Sequence, residues 1–525
     1  MRCAAIGFGI AWMAFAQSGP LRVRGTVQVS GVNQAIPGAR VVVYLGSQES
    51  AATVTDVNGA FRLSLDTPGS YAIAAEAVGR YIAGPEARQT FSVDASHPTV
   101  TRNLALGAPS AISGRLVDAE TAAPIAGIGV QARAILYRFG HRLLIRSGSL
   151  ATTGLDGGFR IEGLTGGDYF LELTPLGPTE RETIVAGDVK EAADLPRKPA
   201  YRRQWWPGGD NSPQGLPLAL RPGGEFDLGN LPLPQQPLYR VTSSVGPPTC
   251  RVSDDYFVEV SHADGSDYAA GASGHVPCGK FTVINMSPGE YRLTASGPGG
   301  PTRQLVAVQS KDLETPLTPG PERMTISGKI RLPENFPCCV MPLLLKRDTD
   351  EHPQGSFGAQ RGGFQATLDF EPVRIGLSGL PSSYYVSEIL YNSESVNGRF
   401  AEITPGTVSQ SVQFTVSDKA ASVQGKVTLE DAPVAATVLL IPWPIDPRVE
   451  FPAFFDGEAD DTGVFSIAGL PPGSYRALAV TESAWNRELQ RPGVLAAFAA
   501  GAKEIRLDPA ASQDVALQLS DAAPQ

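Results

Sequence analysis

Five residues in one six-residue stretch, Tyr201, Arg202, Arg203, Trp205 and Trp206, gather the densest chemistry in this 525-residue chain. Flat rings interleaved with guanidinium donors could stack on a sugar face or dock into a neighbouring protein. The same rings could instead plug the end of a sheet. A second aromatic group lies at Trp443, Phe451, Phe454 and Phe455, stiffened by Pro442, Pro444, Pro447 and Pro452, with Trp485 placed to extend it. Proline lowers the entropy lost on ordering such a loop, which serves binding and packing alike. The candidate ligand or partner surface is therefore Tyr201, Arg202, Arg203, Trp205, Trp206, Trp443, Phe454 and Trp485.

Other residue types offer less. The five histidines are scattered, and the chain has no His-Glu-x-x-His, no Gly-x-Ser-x-Gly and no glycine-rich phosphate loop. No catalytic, metal or cofactor residue is assigned, and the expectation is a non-enzymatic protein without a cofactor. Asp56, Asn58, Asp156, Asp460 and Asp461 invite a calcium reading. Each turn brings only one or two carboxylates where calcium takes more oxygens, so these residues read as turn caps. Cys250 and Cys278 flank a polar loop and are expected to form a disulfide, whereas the adjacent Cys338 and Cys339 leave a vicinal bond, two thiols and separate pairings all open.

Composition limits the partners. A formal charge of -10 argues against a nucleic-acid partner, which needs a basic footprint. Residues 1–16 carry Arg2, an apolar run from Ala4 to Phe15, and Ala14-Phe15-Ala16, the pattern of a secretory signal cleaved after Ala16. No later apolar run is long enough for a membrane span. The expected location is secreted, periplasmic or cell-surface.

The elements that position these residues are read from a repeat. Phe61 and Tyr71, Phe159 and Tyr169, Phe281 and Tyr291, and Phe465 and Tyr475 are each ten positions apart. Alternating apolar residues on both sides predict two half-buried strands around a tight turn, with Gly69, Gly167, Gly289 and Gly473 expected at positive φ. A further copy places Ile375 at the Phe position and Tyr385 at the Tyr position. Upstream of four copies lies an apolar-x-Gly-x-apolar strand, at Val23–Val27, Ile112–Leu116, Ile326–Ile330 and Val423–Val427. Val494, Leu495 and Phe498 predict a short helix at Pro492–Ala500.

The acidic turn before each Phe and the glycine before each Tyr, clearest in Asp56–Tyr71, Asp156–Tyr169 and Asp461–Tyr475, resemble the carboxypeptidase regulatory-like domain. The resemblance implies an all-β chain of tandem seven-stranded, transthyretin-like or immunoglobulin-like β-sandwiches, related in form to the B-type repeats of bacterial collagen-adhesion proteins. Fold is what it specifies; function it leaves open. The expected domains are 21–106, 111–234 with the aromatic insertion, 238–319, 323–418 and 421–520. Short linkers suggest a rod used for spacing, adhesion or assembly, self-associating or binding another envelope protein. An alternative is a carbohydrate-binding array using the aromatic loops.

Overall fold

The computed structural model describes residues 21–520 apart from 31–33, 46–47, 85–87, 94–97, 139–140, 178–181, 188–198, 210–212, 214, 248, 263–270, 299–301, 318–322, 337–340, 347–354, 357–361, 370–372, 379, 397–399, 404–408, 447–450, 461, 482–483, 486–488 and 490–492. The signal-like segment, Cys338, Cys339 and Asp461 therefore lie outside the described residues.

The chain is an all-β array of tandem sandwiches. Each glycine-marked strand pairs antiparallel with the Phe strand of its repeat in one register: Gly25 faces Phe61, Gly114 faces Phe159 and Gly425 faces Phe465. The glycine is a matter of space. A Cβ at Gly25 or Gly425 would stand 1.8 Å from the carbonyl oxygen of Arg102 or Val515, and one at Gly114 would meet the Phe159 ring at 3.0 Å. In the third sandwich Ser243 takes the glycine's place opposite Phe281.

The same register corrects the fourth copy. Gly328 faces Phe364, whose ring lies 1.9 Å from where a Cβ would be, so Phe364 holds the Phe position. Ile375 belongs to the following strand, Val373–Ser378, which pairs with Met341–Lys346. Tyr385 opens a strand on the opposite sheet, paired with Ser409–Ser417. The Phe-to-Tyr spacing misleads here because the polar excursion that precedes Phe364 hides its turn.

The glycine expectation holds at two of its four positions: Gly167 and Gly473 have positive φ, 158° and 155°, whereas Gly69 and Gly289 do not. The acidic turn before Phe also carries left-handed backbone, at Gly59, Gly157 and Gly463, with φ of 72°, 77° and 75°. What fixes the later turn is the tyrosine. Its hydroxyl donates to the carbonyl four residues earlier in Tyr71 to Thr67 (2.6 Å), Tyr169 to Thr165 (2.9 Å), Tyr291 to Ser287 (3.1 Å) and Tyr475 to Pro471 (2.6 Å). A buried ring with its hydroxyl satisfied by backbone pins the turn to the core.

Alternate strand residues fill five apolar clusters. They centre on Val23, Val41, Ile73 and Val93; on Ile112, Val130, Ile161 and Leu171; on Val241, Val258, Phe281 and Leu293; on Met324, Ile326, Ile375 and Phe414; and on Val423, Val438, Leu470 and Val427. Burying each such side chain contributes roughly 1.5–3 kcal/mol before entropy is counted. In the second sandwich one sheet runs Gly158–Leu164, Ser110–Asp118, Glu225–Leu233; the other runs His141–Thr152, Ile128–Arg138, Gly167–Pro175, Gln204–Trp206.

A straight rod is not what the contacts give. Arg24 of the first sandwich pairs with Asp460 of the fifth at 3.0 Å, and the Asn103 side-chain amide donates to the Ala459 carbonyl at 3.3 Å. Ile135 of the second sandwich packs into a second apolar cluster of the fifth. These contacts bring outer-face groups of the first and second sandwiches against the fifth. No helix among the described residues is long and apolar enough to cross a membrane.

Candidate functional site: the arginine and tryptophan segments

The strand Gln204–Trp206 adds to the edge of Gly167–Pro175, placing Trp205 opposite Glu172. Strand alternation then sends neighbouring side chains to opposite faces. Trp206 turns inward and packs, half-buried with Tyr201, against the second core. Trp205 turns outward, yet it is only 4% exposed.

Charged groups enclose Trp205. Glu172 accepts from Arg133 Nε at 2.9 Å and from Arg203 Nε at 2.7 Å, so one carboxylate holds two guanidiniums. All three residues are buried. The Arg203 and Arg133 guanidinium carbons lie 5.3 and 6.0 Å from the Trp205 ring centroid, within range of cation–π attraction. Arg202 is buried as well. Buried ions of this kind are tolerated only when paired and hydrogen-bonded, and they fix geometry more than they stabilise. Ile135, two residues beyond Arg133 and on the same face, reaches the fifth sandwich.

Tyr201 is anchored from its other end. Its hydroxyl donates to Asp118 Oδ2 at 2.6 Å, while Thr121 gives Asp118 Oδ1 both its hydroxyl and its amide at 2.7 Å. The Tyr201 hydroxyl first, then Thr121 and the Glu120 amide, hold the Asp118 carboxyl far below the usual carboxylate range.

In the fifth sandwich the second aromatic group is also packed. Phe454 meets the Trp485 ring edge-on at 4.9 Å and Phe451 at 6.3 Å, and Phe451 is fully buried. With Leu439, Ile441, Leu478, Val480 and Leu489 they form a small core on the outer face of the sheet, closed by the helix Val494–Gly501 through Leu495 and Ala499. Trp443 is half-buried at its rim, with the Arg476 guanidinium 5.0 Å from its ring centroid.

Three of the eight residues expected at the surface are interior and five are half-buried. Trp205, Arg202 and Arg203 offer no open face for stacking a sugar; Tyr201, Trp206, Trp443, Phe454 and Trp485 keep partial exposure. Each aromatic segment packs within its own sandwich, Tyr201 and Trp206 against the second core and Phe451, Phe454 and Trp485 in the outer cluster of the fifth. Sequence reading missed Arg133, Glu172 and Asp118. A signal was present for the first two: an arginine and a glutamate interrupt the apolar strands Val130–Leu136 and Phe170–Leu173.

Cys250 and Cys278 form a disulfide. The acidic turns act as caps: Asp56 Oδ1 accepts the Asn58 and Ala60 amides at 2.8 and 2.9 Å, and Asp460 Oδ1 accepts the Thr462 and Val464 amides, both at 3.0 Å. Among the described residues no group of three or more His, Cys, Asp or Glu is arranged to hold a metal ion.

The carboxypeptidase regulatory-like domain family matches residues 22–107. Among curated proteins none matches the chain. Solved structures similar to it include the Bacillus anthracis TIE protein, at 9% identity and a TM-score of 0.15, covering 74% of this chain and 72% of that one. A streptococcal ancillary pilin is 12% identical with a TM-score of 0.20, covering 57% of this chain and 100% of that one. GBS52, the minor pilin of Streptococcus agalactiae, is 12% identical with a TM-score of 0.21, covering 44% and 98%. Likeness at this level does not extend to what the chain does.

Proposed function

We propose that this chain, whose residues 22–107 match the carboxypeptidase regulatory-like domain, is a non-enzymatic exported protein that builds or joins structures at the cell envelope. Its domains are 21–106, 111–234, 238–319, 323–418 and 421–520. One observation carries the reading: the residues best equipped for chemistry are spent on packing and on joining one sandwich to another. Trp205 and its two arginines close the outer face of the second sandwich, and the neighbouring Ile135 enters the aromatic cluster of the fifth. Export is supported by the Cys250–Cys278 bond, since disulfides persist in oxidising compartments. The partner is a further copy or another envelope protein.

Light scattering of the purified chain across a wide concentration range tests this. The reading expects mass that rises with concentration and falls again on dilution. A constant monomer mass, together with saturable binding to a soluble glycan, would replace it with the carbohydrate-binding alternative.

A further inference from the structure

The chain makes an excursion that belongs to neither sandwich it connects. After the strand Gly167–Pro175 it leaves the second sandwich, and Thr183–Ala186 pairs antiparallel with Gly279–Met286 of the third: Thr183 with Ile284, Ile184 with Val283, Val185 with Thr282 and Ala186 with Phe281. The Gly187 amide continues the ladder to the Lys280 carbonyl at 2.8 Å. The chain then returns to the second sandwich, where Ala200 bridges to Gln236 and Gln204–Trp206 rejoins the sheet.

The third sandwich has the strands of its own fold without this visitor: Gly279–Met286, Tyr239–Val245 and Leu313–Glu314 in one sheet and Asp255–His262 with its neighbours in the other. The corresponding Phe strands Ala60–Leu65, Gly158–Leu164, Gly363–Asp369 and Val464–Leu470 each pair only with their opening strand among the described residues. So the third sandwich accepts an added strand at an edge where the others take none. An unpaired edge presents free N–H and C=O groups that template a further strand.

The visitor is short. It has four residues, of which Ile184 and Val185 are half-buried and Thr183 and Ala186 exposed, and only Ile184 packs against the third core. Its tethers are residues 176–182 and 187–199, enough chain to span up to about 24 and 44 Å when extended. Within one chain a tethered strand meets its edge at an effective concentration on the order of millimolar. A second copy held nearby in an assembly would offer the same edge, and the contacts made there would be identical.

From this we infer that Thr183–Ala186 is an exchangeable donor strand, taken up by the third sandwich of a second copy of this chain. The inference rests on the assembly reading above and gives it a surface. Backbone pairing supplies the attraction, and Ile184 and Val185 supply the fit.

The test uses full-length chains carrying one new cysteine each, Thr183→Cys or Ile284→Cys, joined by a short bis-maleimide and read by mass spectrometry. A linked peptide joining positions 183 and 284 in a mixture of the two can arise only between copies. The Thr183→Cys/Ile284→Cys double variant serves as the control, closing the same link within one chain. Expected is a 183–284 link in the mixture that rises with concentration, lost when Val185→Pro removes a ladder donor. The proposal is overturned if the double variant links while the mixture does not, at concentrations where light scattering detects larger species; assembly then uses another face. No larger species at any concentration overturns the proposal and, with it, the self-assembly half of the reading above, leaving another envelope protein as the partner. A double variant that fails to link removes the strand from this edge altogether.

Discussion

Glu172→Gln is the sharpest probe of how the second sandwich is held. The carboxylate is 3% exposed and the Arg203 and Arg133 side chains are 6% and 7% exposed, so no water is at hand to replace it. Glutamine keeps the shape and removes the charge, leaving two guanidiniums beside Trp205 with their shared counter-ion gone. Breaking a buried pair by removing one partner costs about 3–5 kcal/mol. With a urea dependence of roughly 1.5–2 kcal/mol per molar for a unit of this size, the midpoint should fall by about 1.5–3 M. Trp205 and Trp206 make intrinsic fluorescence the natural readout, followed through the transition that moves in the variant. Converting all three residues together, with Arg133→Met, Glu172→Leu and Arg203→Met, should restore most of the loss, because apolar residues of similar volume carry no desolvation penalty. A Glu172→Gln midpoint within about 0.5 M of the parent would refute the reasoning, since a charge removed at so little cost cannot have been buried and paired.

Three further outcomes follow from the same contacts. Tyr475→Phe removes the hydroxyl that donates to Pro471 at 2.6 Å and should cost about 0.5–1.5 kcal/mol in chemical denaturation, as should Tyr169→Phe. Cys250→Ala opens a cross-link spanning 28 residues and should destabilise the third sandwich by roughly 3–4 kcal/mol, measurable against the parent in non-reducing urea melts. Because Asp118 titrates below its ordinary value of 3.8, its contribution is present at neutral pH and is lost as the pH falls through and below that value. Asp118→Asn should therefore lose the part of the acid destabilisation that the parent shows there, and superimposable acid profiles would count against the Tyr201 anchor.

Much of the fold was legible because strand alternation and the Phe and Tyr positions are local properties of the chain. The opening glycines could be seen in the sequence, but their reason, a carbonyl or ring where a Cβ would stand, lies in strands far away in sequence, as with Gly425 and Val515. The fourth repeat was misread for a related cause: Ile375 mimics a motif residue by spacing, and only the pairing of Gly328 with Phe364 identifies the strand. Around Trp205 the aromatic and basic residues were visible but their burial was not. That burial depends on Glu172 and Arg133, which come from two other strands. Nor could sequence reveal that Thr183–Ala186 crosses to the third sandwich, since four residues with two half-buried side chains leave little periodic trace.

The claim that the sandwiches are held against one another is tested most directly by small-angle scattering at the dilute limit, where the mass is that of one chain. Five bodies of about 13 Å radius of gyration laid end to end would give roughly 50 Å overall, whereas a fully compact chain of this length gives about 24 Å. With Arg24 against Asp460 and Ile135 in the aromatic cluster of the fifth sandwich, the expected radius is about 25–35 Å. A value near 50 Å at monomer mass would contradict the account and return the chain to an open rod.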